Sequence, residues 1–363
     1  MKTRNSRQSR FAFGHSYFTT GFLTFCFFVM FESQVPLASA QLPAQYAERE
    51  QHASASVKAK LSALRAKAEK EHWTFHVGYT KALDRSLEQL AGTKAPPNLV
   101  ELAKGQNLKS GEILKGEQFA LRVQATQRSQ CSATSPSFDW RQHGAETPVK
   151  DQKACGSCWD FASAAAFESN YRLNSPTSQI IDVSEQQILD CDRQYSCKGG
   201  WWAFDYIEND KGLTSAVKYP YVASQQASCH RHDHLYKGDT NGFVRDNGSI
   251  PTVAETKDAL CSHGPIIVAV DATDAFQAYT DGVFNEHASN CTGDGSCINH
   301  AIVIVGWDDS DKAWIIKNSW SDSWGMKGYM KIAYGSNDIG YMAAWVETAP
   351  PPPPSSKEHK KQP

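Results

Sequence analysis

The run Gln152-Lys-Ala-Cys-Gly-Ser-Cys-Trp159 constrains this chain most, because it brings two cysteines to the start of an apolar helical pattern. From Cys158 to Leu173, small and apolar residues recur at helical spacing, among them Phe161, Ala165, Phe167 and Tyr171. The pair Cys155-Gly-Ser-Cys158 admits three plain readings: a redox couple, half of a zinc site, or two structural half-cystines. No second Cys-x-x-Cys pair follows to complete a zinc site. At the first turn of a helix the dipole favours a thiolate, which sets Cys158 apart from Cys155.

A thiolate nucleophile needs a base, a group that orients the base, and donors for an oxyanion. The chain offers all three. His300 lies in Ile298-Asn-His-Ala-Ile-Val303, at the mouth of a strand-like run. Asn318 lies in Lys317-Asn-Ser-Trp320, and Gln152 precedes Cys158 by six residues with a side-chain amide to donate.

These motifs resemble the papain and cathepsin family of cysteine proteases. The resemblance rests on Phe138-Asp-Trp-Arg141, Thr147-Pro-Val-Lys150, the Gln152–Trp159 run, Cys191-Asp192, Cys197-Lys-Gly-Gly200, Asn299-His-Ala301 and Lys317-Asn-Ser-Trp320 with Trp324-Gly325. It implies an α+β, two-lobed papain-like fold, with a helical lobe, a β-barrel-like lobe and the active site in the cleft between them. It also implies a Cys158–His300–Asn318 mechanism, with Gln152 and the Cys158 backbone N–H as oxyanion donors. Trp320 is expected to shield the His300–Asn318 pair, and Trp324 to line the leaving-group side. Gly156, Gly199, Gly200 and Asn299 are expected along the bound peptide. Trp201, Trp202, Ala269, Ile298 and Ala344 are expected around the residue two before the scissile bond. That set holds no acid, so a hydrophobic or aromatic residue is expected there. The resemblance further implies disulfides Cys155–Cys197 and Cys191–Cys229. Ile339 stands where the family has the last cysteine of a third bridge. Cys131, Cys261, Cys291 and Cys297 allow three pairings, and Cys131–Cys261 with Cys291–Cys297 is the preferred one. Asp160 departs from the small residue usual at its position. An acid suits a first helical turn, and its place two residues from Cys158 turns it to another side of the helix.

A catalytically dead peptide binder and an acyl transferase using the same Cys-His pair are the rival classes. The four residues Gln152, Cys158, His300 and Asn318 argue against the first.

Export explains ten cysteines. Residues 1–20 carry Lys2, Arg4, Arg7 and Arg10 and no acid, an apolar run reaches Phe31, and Ala38-Ser-Ala40 offers a cleavage site. Residues 1–40 therefore read as a signal peptide, 41–130 as a propeptide, 131–347 as the peptidase domain and 348–363 as a Pro-rich disordered tail. In the propeptide, residues 41–71 read as one amphipathic helix, with Val57, Leu61, Leu64 and Ala68 in phase. Residues 72–93 read as a second helix ending at Gly92, and 98–130 as polar and weakly patterned. Ser184 caps a short helix with Gln187 at the box position. Ile266–Asp271, Ala301–Trp307, Ala313–Lys317 and Tyr329–Ala333 read as strands, and Asp308–Asp311 as a hairpin turn. Glu168 reads as a buried structural carboxylate, and His230-Arg-His-Asp-His234 as a solvated loop. A formal net charge of −2 gives no basic field for nucleic acid. The expected product is a secreted, periplasmic or lysosome-like enzyme. It is monomeric, without cofactor or metal, free of a membrane span once the signal is cut, and partnered by peptide or protein substrates and its own propeptide.

Overall fold

The computed structural model describes residues 42–115, 127–175, 178–209, 212–230, 233, 235–288 and 293–348. The proposed signal lies outside them, as does the Pro-rich tail except for its first residue, Thr348, which is the buried end of the last strand rather than tail. The chain opens with α1 (Ala44–Gln51), α2 (Ala55–Glu71), β1 (Thr74–Val77), a one-turn α3 (Leu87–Leu90) and α4 (Leu99–Leu114). Then come β2 (Ser137–Asp139), α5 (Cys158–Asn174), α6 (Glu185–Cys191), α7 (Phe204–Asn209) and β3 (Gly238–Phe243). The last part holds α8 (Val253–His263), β4 (Ile266–Val270), α9 (Asp274–Ala278), β5 (Tyr279–Phe284), β6 (His300–Asp308), β7 (Ala313–Lys317), β8 (Tyr329–Ala333) and β9 (Tyr341–Thr348). The strands form one sheet in the order β1-β5-β8-β7-β6-β4-β9-β3, with β2 added to β6. All pairs are antiparallel except β5 with β8.

Alternation along the central strands divides the core in two. Ile266, Val268 and Val270 of β4 join Ile302 and Ile304 of β6 in one apolar cluster, together with Phe276, Trp320 and Trp324. Ile267 and Ala269 join Ala301, Val303 and Val305 in the other, against Cys158, Ala162 and Ala166 of α5. Strands covered on both faces read as continuous apolar runs, which is why β4 and β6 are visible in the sequence. The fold is α+β, as expected.

Several elements differ from the sequence reading. The single helix over 41–71 is two, because Ser54 interrupts it and its side chain accepts from the Val57 N–H as the cap of α2. The helix expected over 72–93 begins instead with β1, which pairs with β5. Trp73, Phe75 and Val77 are buried in alternation, a period-2 signal overridden by the leucines that follow. The weakly patterned stretch contains the 16-residue α4, which buries only Leu99, Ala103 and Ser110 and therefore shows little amphipathic signature. Ser184 caps α6 through the Gln187 N–H. Gln187 does not close the box, because its amide serves Tyr206, Gly212 and Thr214 instead. Strands β2, β3, β5 and β9 are absent from the sequence reading, β3 because Gly-Asp-Thr-Asn-Gly-Phe is turn-like in composition. Asp308–Asp311 does turn between the antiparallel β6 and β7.

Two of the disulfides implied by resemblance, Cys155–Cys197 and Cys191–Cys229, are present, as is Cys131–Cys261. Cys297 is also disulfide-bonded. Cys291 lies outside the described residues. Glu168 is fully buried and accepts from Thr147 Oγ1, Lys150 Nζ and the Val183 N–H, at 2.7–2.8 Å. Lys150 also meets Asp182 and Glu185, so the helical layer is pinned to the loop before α5 by a partly buried ionic node.

Candidate active site

Cys158 opens α5 and His300 opens β6, so the two reactive side chains reach each other across the junction of helix and sheet. Cys158 is the free cysteine among the described residues and is fully buried. Burial alone would push its thiol up. The charge of His300 and a hydrogen bond to it, with help from Thr93 and Gly92, bring it down to about 7. His300 Nε2 meets Asn318 Oδ1 at 2.9 Å, which leaves the buried Nδ1 for the sulfur. Trp320 lies over the imidazole with ring centroids 4.6 Å apart. It keeps water from the His300–Asn318 bond, in which both partners are buried. Trp324 stands behind Trp320, edge to face at 5.4 Å, and donates its indole N–H to Phe276 O. It is fully buried.

Gln152 is held from two sides. Its Oε1 accepts from Ser319 Oγ at 2.7 Å, which fixes the amide so that Nε2 points into the cleft. There Nε2 donates to Leu90 O at 2.9 Å and to Cys155 O at 2.8 Å. Sequence reasoning did not single out Ser319, although it sits inside the motif that carries Asn318.

The cleft is filled by the chain's own residues 90–94. The Gly92 N–H donates to Cys158 Sγ at 3.2 Å, and Thr93 Oγ1 lies 3.3 Å from the same sulfur. The Thr93 N–H donates to Asn299 O at 2.8 Å on one wall. On the other wall, the Gly200 N–H donates to Gly92 O and the Lys94 N–H to Gly200 O, each at 2.9 Å. Close approach explains the glycines. A Cβ on Gly92 would fall 1.9 Å from Gly156 O, and one on Gly199 would fall 2.6 Å from Gly92 O. The expected peptide-contacting residues Gly156, Gly199, Gly200 and Asn299 therefore line one extended segment. Trp201 and Trp202 stack at 4.2 Å and share an apolar cluster with Ala269 and Ala344, against which Ile298 packs. The Trp202 indole N–H donates to Met342 O.

Asp160 lies in the first turn of α5, as expected. It is fully buried, and neither carboxylate oxygen has a hydrogen-bond partner. Burial pushes its pKa well above the usual range, and Glu185, Asp192 and Asp190 push the same way against Lys150. The helix dipole is worth about 1 kcal/mol. Desolvating an ion costs several kcal/mol, so burial outweighs the dipole and favours the neutral form of Asp160. Glu185 is pushed up to about 7 by burial, opposed by Lys150.

A family model, papain family cysteine protease, matches residues 134–348. The chain is 39% identical over 211 residues to fruit bromelain from Ananas comosus and 37% identical over 213 residues to cathepsin L from Sarcophaga peregrina. Each stretch is 56% of this chain, and they span 56% and 60% of those relatives' lengths. Among solved structures, digestive procathepsin L2 proteinase from Tenebrio molitor larval midgut superposes with a TM-score of 0.66 at 26% identity. That match covers 85% of this chain and 96% of the other. The chain belongs to the papain family of cysteine proteases.

A folded-state pKa above the unfolded value of about 3.9 means that Asp160 binds its proton more tightly when folded. Its contribution to stability is thus full below that value and is lost as pH rises. In Asp160→Asn this loss disappears. The stability of the variant relative to wild type should rise as pH climbs above that unfolded value, read by urea denaturation. Parallel pH profiles for the two proteins would refute a neutral Asp160.

Proposed function

We propose that this chain is the zymogen of a secreted papain-type cysteine endopeptidase. The observation that carries the reading is the Cys158 thiol, drawn down to about 7 beside a His300 whose far nitrogen is held by Asn318 at 2.9 Å. The Cys158 thiolate attacks the peptide carbonyl carbon, and the oxyanion takes hydrogen bonds from Gln152 Nε2 and the Cys158 backbone N–H. His300 gives its proton to the leaving amine, and a thioester remains on Cys158. Water then adds to the thioester as His300 takes a proton from it, and the carboxylic acid leaves as the thiolate returns. Asn318 keeps the imidazole ring turned toward the sulfur throughout.

Residues 42–115 act as the inhibitory propeptide in this reading. Support comes from Leu90 O on the Gln152 amide and from the Gly92 and Thr93 contacts to the sulfur. These groups occupy the positions that a reacting carbonyl needs. Trp201, Trp202, Ala269, Ile298 and Ala344 form the second-residue pocket, and the signal sequence with three observed disulfides fits an exported enzyme.

An epoxide inhibitor of this protease class should label the processed protein at Cys158, and Cys158→Ala should abolish both labelling and peptide hydrolysis. Absence of Cys158-dependent labelling would favour a peptide-binding relative. In a peptide series varied two residues before the scissile bond, Phe should give a kcat/KM at least about tenfold above Arg. Equal cleavage of the two would overturn the pocket assignment. Gly92→Ala places a Cβ against Gly156 O, so the unprocessed variant should react with the epoxide about tenfold faster than the unprocessed wild type. Equal rates would mean that residues 90–94 do not guard the sulfur.

A further inference from the structure

The chain just before the matched domain ends in a buried ion pair that inhibition does not require. Arg128 lies in a 3-10 turn, Gln127–Gln130, and its side chain is 1% exposed. Its Nη1 and Nη2 donate to the two carboxylate oxygens of Glu347 at 3.0 and 2.8 Å. Nη1 also donates to Ser262 O and Nη2 to Asn174 Oδ1, each at 2.8 Å. Glu347, on β9, is 1% exposed, faces His263 Nδ1 at 2.7 Å and accepts from Asn170 Nδ2. Three residues after Arg128, Cys131 is bonded to Cys261 of α8.

We propose that processing cuts on the N-terminal side of Arg128, so that the mature enzyme keeps an N-terminal arm clamped by Arg128 to Glu347 and by Cys131 to Cys261. The proposal deepens the zymogen reading and rests on it, and it moves the domain boundary from residue 131 to before Arg128.

Three observations converge on it. All the partners of Arg128 belong to the matched domain: the end of α5, the end of α8, and β9. The inhibitory residues 90–94 instead hold the cleft, so the two sets of contacts can part without conflict. Removing Arg128 would leave Glu347 buried without its bidentate partner, which is the costly way to break such a pair. Burial pushes the Glu347 carboxyl up, but Arg128 and His263 outweigh it and hold it down at about 2. With Arg128 in place, Glu347 therefore stays charged under mildly acidic conditions and the pair persists. Finally, a protease must bind an extended, accessible segment. A turn with its central side chain buried and a disulfide three residues on presents none without local unfolding.

Two readouts test the arm. In the first, the full-length chain is taken to its mature form and its N-terminus is read by intact mass and terminal sequencing. Retention of Arg128 is expected, and a mature chain starting at Ser129 or later overturns the proposal. The second does not depend on the enzyme processing itself. The Cys158→Ala chain is treated with trypsin under native conditions, and scission of the Arg128–Ser129 bond is followed. That bond should survive while exposed basic sites are cut. In Cys158→Ala chains carrying Glu347→Ala or Glu347→Gln, it should be cut about tenfold or more faster. Fast scission in the Glu347 parent, or equal rates with and without Glu347, sinks the clamp. A failure of peptide hydrolysis with an intact Arg128–Ser129 bond would count against the zymogen reading and leave the clamp standing.

Discussion

The contact between Cys158 and His300 is the constraint on which the structure turns, because its two members belong to different layers. One starts a helix and the other starts a strand, and the thiol is lowered only if the imidazole arrives at the right distance in a dry place. The junction is correspondingly rigid. Helix α5 packs on β6 and β9, and Gln152 is tied to Ser319 through both backbone and side chain. Lys317 donates to Thr147 and pairs with Glu146, which joins the strand before Asn318 to the loop that leads to the nucleophile. Breaking one partner of such a buried pair typically costs about 3–5 kcal/mol.

Two carboxylates on the nucleophile helix show how context fixes the state of a side chain. Glu168 has three donors and anchors a loop. Asp160, two turns earlier on the same helix, has none and faces Glu185, Asp190 and Asp192. Both look alike in sequence, as acids on an apolar helix. Only the donors supplied by distant segments separate the satisfied carboxyl of Glu168 from the unsatisfied one of Asp160.

The N-terminal segment follows the same logic at a larger scale. β1 extends the sheet by pairing with β5, residues 90–94 bridge Asn299 and Gly200, and α4 docks on β3. Asn107 of α4 donates to Phe243 O and accepts from the Phe243 N–H, so a side-chain amide satisfies a strand edge. Such a helix needs little apolar surface of its own. A segment whose order comes from the domain it covers carries only faint periodicity, and for that reason the sequence reads as one helix over 72–93 and as weakly patterned over 98–130.

The sequence by itself pointed to Cys158, His300, Asn318 and Gln152, through short motifs that resemble those of the family, and the structure brings these four residues together. It also determined the strands covered on both faces, since double burial leaves an unbroken apolar run. The tertiary structure decided the split of the first helix at Ser54, the strand at Thr74–Val77, the seat of residues 90–94 on Cys158, the burial of Asp160 without a donor and the pairing of Arg128 with Glu347. Each of these depends on a partner far away in the chain that supplies a donor, a charge or a covering surface, and local pattern holds no record of such a partner.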